Sequence, residues 1–443
     1  MSGSKEEKDL LDNWRGIGFT GFTNIKRTRR ELARRAVQQP ASWRVLNLDP
    51  KEGKICPAKG GKPTTSSLLG ELFFMNYQYF TSESVAAGHP DKVCDQISDA
   101  VLDAAIKAYP KSRIAVETLV TANRVVMAGE VTCPKSLDFE KIARKVVKRL
   151  GYTNPAFNFT DQSPVSVYIH QQSPDIALGA DKGGAGDQGM IFGYAVTETK
   201  EFMPLPIILA HRLVEKVDEL RETKKLACLR PDGKSEVKIK YEKGKPAVVE
   251  KVVLAVPHDQ CVNKEQVKKE LFRLVIKPVL ENYKFKVKEE NCILNGTGKW
   301  EIGGPATDTG VTGRKIIVDS YGGMARTGGG AFSGKDPTKV DRSGAYGARY
   351  IAKNIVANKL ADRCEIQIAY VIGHVKPITV AIETFGTEKK KISIIESFAE
   401  KILDLSVWGI IEKLKLLRPF YEKTASYGHF GREEFPWEKV VKF

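Results

Sequence analysis

Apolar residues recur along the chain with two different periods, one typical of helices and one typical of strands. The segment DKVCDQISDAVLDAAIKAY places apolar side chains three or four positions apart, at Val93, Ile97, Val101, Ala104 and Ala108. This spacing predicts a helix with one buried face. The next segments, RIAVETLV and RVVMAGEVT, are rich in β-branched residues and are separated by a short connection. They predict two neighbouring strands.

The same alternation of helices and strands continues to the end of the chain. A helix is predicted in DFEKIARKVVKRLGY and a strand in SVYIHQ. The middle third then has a predicted strand in MIFGYAVTET and a helix in PLPIILAHRLVEKVDELRE. Two strands follow in EVKIKYE and AVVEKVVLAVPH, and a helix in VNKEQVKKELFRLVIKPVL. The last third has a long Gly-rich segment with a predicted strand in IIVD, and then a helix, two strands and terminal helices that begin with SGAYGARYIAKNIVAN, CEIQIAYVIG and ITVAIETFG. We predict an α+β protein of three units, each with two or more strands and a covering helix, which agrees with about 150 residues per domain in a chain of 443 residues.

Residues 1–76 differ from the rest of the chain. Their periodicity is weak, and they contain the basic run KRTRRELARRA and the linker-like stretch PKEGKICPAKGGKPTTSS. We predict an N-terminal extension that is helical around Arg29–Val37 and otherwise poorly ordered.

Composition restricts the compartment and the chemistry. No run of about 18 apolar residues is present, and the first residues lack the apolar region of a secretory signal. The seven cysteines are dispersed without a C-x-x-C pair, which predicts reduced thiols in the cytoplasm. The six histidines have no H-x-x-x-H spacing, so we expect no transition-metal centre.

The formal charge of +16 raises the question of nucleic-acid binding. However, aromatic residues are not interleaved with the basic ones, and acidic residues lie among most of them. The charge therefore favours a small anionic substrate over specific nucleic-acid recognition.

The stretch GGGAFSGKDPTKVDRSGAY resembles a phosphate-binding P-loop and then departs from it. Gly329, Gly334 and Lys335 fit the pattern G-x-x-x-x-G-K, but Asp336 follows, where a magnesium-binding Ser or Thr is required. The loop thus has the features of a phosphate cradle without its usual metal ligand.

Three further stretches are rich in Gly, Asp, Lys and His. They are GHPDK, where His89 and Asp91 meet the predicted start of a helix, GAGDQG with Asp187, and RPDGKS with Lys234. The long Gly-rich run before the near P-loop adds two adjacent cations, Arg314 and Lys315. Long Gly-rich loops within compact domains are usually functional or disordered, and the flanking predicted strand and helix favour order. The cations then predict a bound anion.

Together, six motifs resemble the S-adenosylmethionine synthetase family. They are GHPDK, GAGDQG, RPDGKS, GGPATDTGVTGRKIIVDSYGG, GGGAFSGKDPTKVDRS and YGHFGREEFPWE, and the likeness runs from about Phe80 to Lys439. The resemblance implies an enzyme that joins ATP and methionine: the methionine sulfur attacks C5′ of ATP and displaces tripolyphosphate, which is then hydrolysed to phosphate and pyrophosphate. It also implies two Mg²⁺, one K⁺, and a homodimer with shared active sites that often pairs into a tetramer.

The resemblance further implies three similar α+β domains about a pseudo-threefold axis. We place them at residues 77–177, 183–302 and 303–443, after the extension of residues 1–76.

The family's functional residues map onto matching positions of this chain. Catalytic roles fall on His89, Lys234, Arg314, Lys315 and Lys335. ATP would contact the same five residues together with Asp232, Lys299, Trp300, Asp308 and Ala331. Methionine would contact Glu130, Gln172, Asp187, Asp308 and Lys339. Asp91 and Asp341 match the Mg²⁺ ligands, and Glu117 matches the K⁺ ligand.

The chain departs from the family pattern at three places. Trp300 stands where Phe usually stacks on adenine, and Thr307 replaces a usual Gly beside Asp308. The segment from Gln172 to about Gly184, which matches the family's gating loop, is shorter than in many relatives.

Two other functions remain as alternatives. One is a phosphoryl- or nucleotidyl-transferring ATPase that uses the near P-loop, which the replacement by Asp336 disfavours. The other is a non-catalytic nucleotide- or RNA-binding protein with a vestigial site, which the intact set of charged residues disfavours.

Overall fold

The computed structural model describes residues 78–171, 183–259, 263–296, 298 and 300–443. The predicted extension, the gating segment with Gln172, and Lys299 lie outside these residues, except for the end of the gating segment at 183–184. All the described residues belong to one compact unit. Within the described residues, no helix combines the length and the apolar character needed to cross a bilayer.

The described residues form eleven strands in three sheets. In chain order the strands are β1 (Tyr79–Val85), β2 (Arg113–Thr121), β3 (Arg124–Thr132), β4 (Val165–His170), β5 (Gly189–Val196), β6 (Lys234–Glu242), β7 (Lys245–Ala255), β8 (Cys292–Leu294), β9 (Gly310–Val311), β10 (Arg363–Tyr370) and β11 (Thr379–Glu383). The sheet orders are β1-β6-β7-β8, β11-β10-β5 and β4-β3-β2-β9.

Each sheet contains a strand from a different third of the chain. Strand β1 pairs antiparallel with β6, with Tyr79 opposite Lys240, although some 150 residues separate them. Strand β5 pairs antiparallel with β10, and β9 pairs antiparallel with β2. The first third of the chain thus donates β1 to the β1-β6-β7-β8 sheet, and the middle third donates β5 to the β11-β10-β5 sheet. The last third donates β9 to the β4-β3-β2-β9 sheet. The prediction of three α+β units with strands and covering helices is confirmed, and the exchange of strands is an addition to it.

Nine α-helices complete the described structure. They are α1 (Pro90–Ala108), α2 (Phe139–Arg149), α3 (Leu205–Glu222), α4 (Lys264–Leu271), α5 (Lys277–Asn282), α6 (Ile316–Asp319), α7 (Val340–Ala357), α8 (Ile392–Ile402) and α9 (Val407–Lys413). The three longest cover the positions where strands are exchanged: α1 packs on β2 and β9, α3 on β1 and β6, and α7 on β5 and β10. Each exchanged strand is therefore held by hydrogen bonds from its sheet and by apolar contacts from a helix.

The periodicity of α1 matches its burial. Val93, Ile97 and Val101 are fully buried, whereas Ala104 and Ala108 are only partly buried. The apolar face turns toward Ala105 in the last turns of the helix, and this residue is fully buried.

One predicted strand is wrong. The segment IIVD forms the short helix α6, in which the Asp319 N–H donates to the Lys315 carbonyl over 2.8 Å. The Asp319 carboxylate is buried against the Lys92 ammonium. This tertiary contact outweighs the β propensity of Ile316, Ile317 and Val318.

The contact between β5 and α7 leaves no space for a side chain at Gly193. A Cβ at this position would lie 2.1 Å from the Ala348 carbonyl carbon. We expect Gly193→Ala to lower the free energy of unfolding by about 1–3 kcal/mol because the helix must move away from the sheet. The measurement is the urea midpoint of unfolding, followed by circular dichroism.

Gly329→Ala is the matched control, because a Cβ at Gly329 meets no atom within 4 Å. Equal midpoints for the two variants would contradict the close packing of helix on strand.

Candidate active site

The turn GHPD begins the site at the N-terminus of α1. His89 is the N-cap residue, and its Nδ1 accepts a hydrogen bond from the Asp91 N–H over 3.2 Å. Gly88 must be glycine because a Cβ there would lie 2.3 Å from the Pro231 carbonyl oxygen. The Tyr152 hydroxyl donates to the Gly88 carbonyl over 2.5 Å. These contacts pack the GHPD turn directly against the RPDG turn.

Four aspartates at intervals of four residues lie on one face of α1, and we call them the aspartate ladder: Asp91, Asp95, Asp99 and Asp103. Each of them accepts at least one backbone N–H from the last third of the chain. The donors in order are Val311 at 3.0 Å, Gly313 at 2.8 Å, Gly334 at 2.9 Å, and Tyr421 at 2.8 Å together with Glu422 at 3.0 Å. The ladder therefore fixes both Gly-rich loops of the last third onto a helix of the first third.

Asp91, the first residue of the ladder, lies beside two cations. Lys315 Nζ lies 2.6 Å from one oxygen of Asp91, and Arg314 Nε lies 3.5 Å from the other. Burial alone raises the pKa of Asp91, but the hydrogen bonds from Lys315 and from the Val311 N–H outweigh burial and lower it. Asp91 is thus an ionised carboxylate with two cations beside it.

Asp95 and Asp99, the next two residues of the ladder, form buried ion pairs. Lys92 bridges Asp95 at 2.8 Å and Asp319. Arg342 makes two hydrogen bonds of 2.7 Å to Asp99 and donates a third, of 3.1 Å, to the Lys335 carbonyl. Because both rungs lie within the protein interior, a movement of the loops would leave a buried charge without a partner.

The near P-loop is held by the residue that breaks the P-loop pattern. Asp336 is fully buried and accepts hydrogen bonds from the Ile114 N–H at 2.8 Å, the Thr338 N–H at 3.0 Å and Lys339 Nζ at 2.8 Å. Burial raises the pKa of Asp336, but the charge of Lys339 and these hydrogen bonds outweigh burial and lower it. Asp336 is therefore an anchor that ties the loop to strand β2.

A second cation–carboxylate pair projects from this anchored loop. Lys335 Nζ lies 2.6 Å from an oxygen of Asp341, in the first turn of α7. Gly330 lies against the same carboxylate, where a Cβ would fall 2.0 Å from the Asp341 carboxyl carbon. A Cβ at Gly313 would lie 2.5 Å from Cβ of Ala331, so this loop also touches the loop that carries Arg314 and Lys315.

The side chain of His89 faces this group of cations. Burial, and then the charges of Lys315 and Lys234, lower the pKa of His89 to about 3. The imidazole is therefore neutral, and because Nδ1 accepts a hydrogen bond, the proton belongs on Nε2. This buried Nε2 has no hydrogen-bond partner among the residues that the structure describes. It is a donor available to a ligand.

Asp232 fixes the RPDG turn near the predicted adenine-binding segment. It accepts hydrogen bonds from the Gly233 N–H at 2.7 Å and the Gly304 N–H at 2.8 Å. Burial, only partly offset by these bonds, raises the pKa of Asp232 to about 6. Trp300 is half-buried, and its indole N–H donates to the Ile302 carbonyl over 3.0 Å.

Thr307 fits its position without strain. Its φ of −121° and ψ of −17° belong to backbone that any residue adopts. Its hydroxyl donates to the Gly304 carbonyl over 3.3 Å, and the Asp308 N–H reaches the same carbonyl over 3.2 Å. The usual glycine is therefore not required to place Asp308.

Three predicted residues lie outside the ion pairs that the cations form in the described structure. Glu117 and Glu130 occupy the face of the β4-β3-β2-β9 sheet opposite α1, and Asp187 is exposed. Glu130 lies 3.3 Å from Nε2 of His170. Within the part of the chain that the structure describes, no hydrogen bond or ion pair joins Glu117, Glu130 or Asp187 to the predicted catalytic cations. The prediction that they share one site with those cations therefore stays a prediction.

The sequence reading missed Asp95, Asp99, Asp103 and Arg342. The three aspartates could have been recognised from their spacing of four residues in the predicted helix. Across the described ranges, no group of three or more His, Cys, Asp and Glu side chains is arranged to hold a metal ion. The five cysteines within those ranges are free thiols.

The α+β fold and its two loops, which carry lysine and arginine and are held by buried carboxylates, form a site suited to a polyanionic ligand. Comparison with known proteins identifies the family. Sequence models of the N-terminal, central and C-terminal domains of S-adenosylmethionine synthetase match residues 77–174, 182–300 and 302–439. An S-adenosylmethionine synthase of Treponema denticola is 50% identical over 374 residues, which cover 82% of this chain and 96% of the relative. The chain belongs to the S-adenosylmethionine synthetase family.

The neutral state of His89 gives a testable titration. We expect its imidazole to stay neutral from pH 7.5 to pH 5 in the folded protein without ligand, because its pKa is lowered to about 3. The unfolded chain binds a proton at His89 near pH 6.5, so this residue makes folding less favourable as the pH falls through that range. The measurement is the imidazole proton NMR shift, assigned with His89→Gln.

The urea-unfolded protein is the control, in which the signal should titrate near the ordinary histidine pKa. A folded-state midpoint near 6.5 would show that the cations and burial do not act on His89.

Proposed function

We propose that the protein synthesises S-adenosylmethionine from ATP and L-methionine. In this reaction the methionine sulfur attacks C5′ of ATP, the C5′–O bond breaks, and tripolyphosphate leaves and is hydrolysed to phosphate and pyrophosphate. The observation that carries the proposal is the convergence of His89, Lys315 and Arg314 on Asp91, beside the loop that carries Lys335, which is paired with Asp341 of α7. The family membership supports the same reaction.

The cations suit a leaving group of high charge. Tripolyphosphate gains charge at the bridging oxygen as the bond to C5′ breaks, and preorganised donors stabilise charge that develops in the transition state. Lys315 and Lys335 are each held by a carboxylate at 2.6 Å, so their ammonium groups are in place before the substrate arrives. Lys234 and Arg314 extend the positive field around the phosphates.

His89 contributes as a neutral donor. Its Nε2–H has no partner in the described structure and can donate to a phosphate oxygen, while Nδ1 stays bonded to the Asp91 N–H. A thioether sulfur loses no proton when it attacks carbon, so the first step requires no general base. Catalysis of that step then depends on positioning and on electrostatic stabilisation.

Asp91 and Asp341 fit the family's Mg²⁺ ligands. Both are carboxylates next to the phosphate-binding cations, and oxygen ligands suit Mg²⁺. Bound Mg²⁺ would neutralise charge on the triphosphate. We assign two Mg²⁺ to this region and one K⁺ to Glu117, whose exposed carboxylate offers the hard oxygen that K⁺ requires.

The remaining substrate contacts follow the family pattern. We assign ATP to Asp232, Lys299, Trp300, Asp308 and Ala331, and methionine to Glu130, Gln172, Asp187, Asp308 and Lys339.

A homodimer with shared active sites would explain why Glu117 and Glu130 form no ion pair with the predicted catalytic cations within the described part of one subunit. Glu117 and Glu130 are on an open sheet face that also exposes Tyr168, at 67% of its surface. Exposed apolar residues on sheet faces are typical of protein interfaces. We propose a cytoplasmic homodimer, which can pair into a tetramer, in which this face meets the cations of the other subunit.

Two substitutions test the roles of the cations and carboxylates. We expect Asp91→Asn and Lys335→Ala each to lower kcat by about a hundredfold or more. Asp91→Asn removes the carboxylate that positions Lys315 and would hold Mg²⁺, and Lys335→Ala removes a cation that stabilises the leaving triphosphate. The measurement is S-adenosylmethionine formation from ATP and methionine with Mg²⁺ and K⁺, together with release of phosphate and pyrophosphate.

Lys216→Ala is the matched control. Lys216 is also a lysine paired with a carboxylate, 2.7 Å from Glu219, but it lies on α3 away from the site. Near-normal turnover in both site variants would refute the assigned roles.

Deletion of residues 1–70 tests whether the first segment takes part in the reaction. We expect the truncated protein to keep most of its activity because the matched family domains begin at residue 77. The measurement is kcat/KM for ATP, with binding to a single-stranded RNA measured in parallel. A folded truncated protein without activity would show that the segment is integral to the enzyme, and RNA binding lost on truncation would locate that activity in the segment.

A further inference from the structure

The GHPD turn and the segment GGPATD (residues 303–308) carry different parts of the predicted site, and both contact the buried side chain of Tyr152. Only 2% of this residue is exposed, and its ring packs edge-on against Phe159 with 5.4 Å between the ring centres. Tyr152 has no role in the reaction proposed above. Its contacts with both segments make it a candidate for positioning the residues that do.

The Tyr152 hydroxyl acts on the peptide group that joins Gly88 to His89. It donates to the Gly88 carbonyl over 2.5 Å, while the His89 N–H of the same peptide group donates to the Ala86 carbonyl over 3.1 Å. Burial raises the pKa of Tyr152 well above its ordinary value, so the hydroxyl keeps its proton and remains a donor. Both polar ends of the peptide group are therefore held, and with them the point from which the His89 side chain projects.

The backbone of His89 decides where its Nε2–H points. The imidazole is tied through Nδ1 to the Asp91 N–H over 3.2 Å, so the ring cannot rotate without breaking this hydrogen bond. Nε2 lacks a hydrogen-bond partner within the described part of the chain, and it is the donor that would meet a phosphate oxygen. Its direction therefore follows the position of the Gly88–His89 peptide group. A misplacement of about 1 Å at a catalytic group can cost about a hundredfold in rate.

The same hydroxyl lies against the backbone of Gly304. A Cβ at Gly304 would fall 2.1 Å from the Tyr152 hydroxyl oxygen, and the φ of 73° at this position also favours glycine. The Gly304 carbonyl accepts the Asp308 N–H over 3.2 Å, and the Gly304 N–H donates to Asp232 over 2.8 Å. The hydroxyl thus contacts both the backbone next to His89 and the backbone that places Asp308.

We propose that Tyr152 is a positioning residue for the reaction, and that its hydroxyl sets His89 relative to Asp308. The inference rests on the proposed function, in which His89 donates to the leaving tripolyphosphate and Asp308 contacts ATP and methionine. The sulfur attacks C5′ on the side opposite the leaving oxygen, so the groups that hold the two must keep a fixed separation. One hydroxyl in contact with both backbone segments limits changes in that separation.

Tyr152→Phe tests this role because it keeps the buried ring and removes the hydroxyl alone. We expect kcat for S-adenosylmethionine formation to fall about tenfold, and KM for ATP to change by less than about threefold, since the lysines and Arg314 still bind the triphosphate. In a His89→Gln background the same change should lower kcat by no more than about twofold further, because Tyr152 acts through His89. A contribution to stability alone would leave the kcat of the folded protein unchanged in both backgrounds.

A binding measurement tests the same role without turnover. Diimidotriphosphate resembles the leaving group, and its P–N–P links resist hydrolysis. We expect Tyr152→Phe in the full chain to weaken its binding with Mg²⁺ about fivefold or more, measured by isothermal titration calorimetry, and His89→Gln to remove this dependence on Tyr152. If the unmodified protein forms no S-adenosylmethionine, the proposed function fails, and this measurement still decides the role of Tyr152.

Tyr241→Phe is the matched control. Tyr241 is also buried, and its hydroxyl donates to Glu198 over 2.9 Å, but it lies about 23 Å along β6 from Lys234. This variant should match the unmodified protein in kcat and in binding. The proposal is overturned if Tyr152→Phe behaves like Tyr241→Phe in either measurement, if its effect on kcat is as large in the His89→Gln background, or if diimidotriphosphate does not bind the unmodified protein.

Discussion

The burial of the aspartate ladder is the constraint on which the rest of the structure depends. A carboxylate taken from water into a protein interior loses several kcal/mol unless hydrogen bonds and countercharges replace the solvent. Every rung receives a backbone N–H, and the first three rungs also have basic partners. All these groups except Lys92 come from the last third of the chain. The first helix can therefore be buried only when the loops that carry Arg314, Lys315 and Lys335 are in place, which couples the geometry of the site to the stability of the fold.

The same constraint explains the near P-loop. In a P-loop the backbone wraps around phosphate and a hydroxyl binds the metal, so the loop's shape serves the ligand directly. Here Asp336 and the Asp99–Arg342 pair hold the loop through protein groups alone, and Lys335 is left on its outer side. The missing hydroxyl is not a defect of the motif, because the carboxylates of Asp91 and Asp341 stand near the cations that would meet the phosphates.

Much of the fold could be predicted from hydrophobic periodicity, because burial of one face leaves a period in the sequence. The strands of the first third and the buried face of α1 are examples. The periodicity could not show which strands pair, since the alternation in β1 is satisfied by any neighbouring strand. It also could not predict α6, because this helix forms through the buried contact of Asp319. The cations and carboxylates of the candidate site were predicted from local motifs. Asp99 and Arg342 were not, because their contact joins residues 243 positions apart.

The cyclic exchange of strands has a consequence for synthesis on the ribosome. Strand β1 pairs with β6, so about 150 further residues must be added before its partner exists. At about 5–20 residues per second this is a delay of roughly eight to thirty seconds, during which β1 has an unpaired edge. The β4-β3-β2-β9 sheet is completed later still, because β9 begins only at residue 310. The unpaired strand edges of the nascent chain must therefore be shielded until their partner strands are made. The three parts of the chain complete their sheets together rather than one after another.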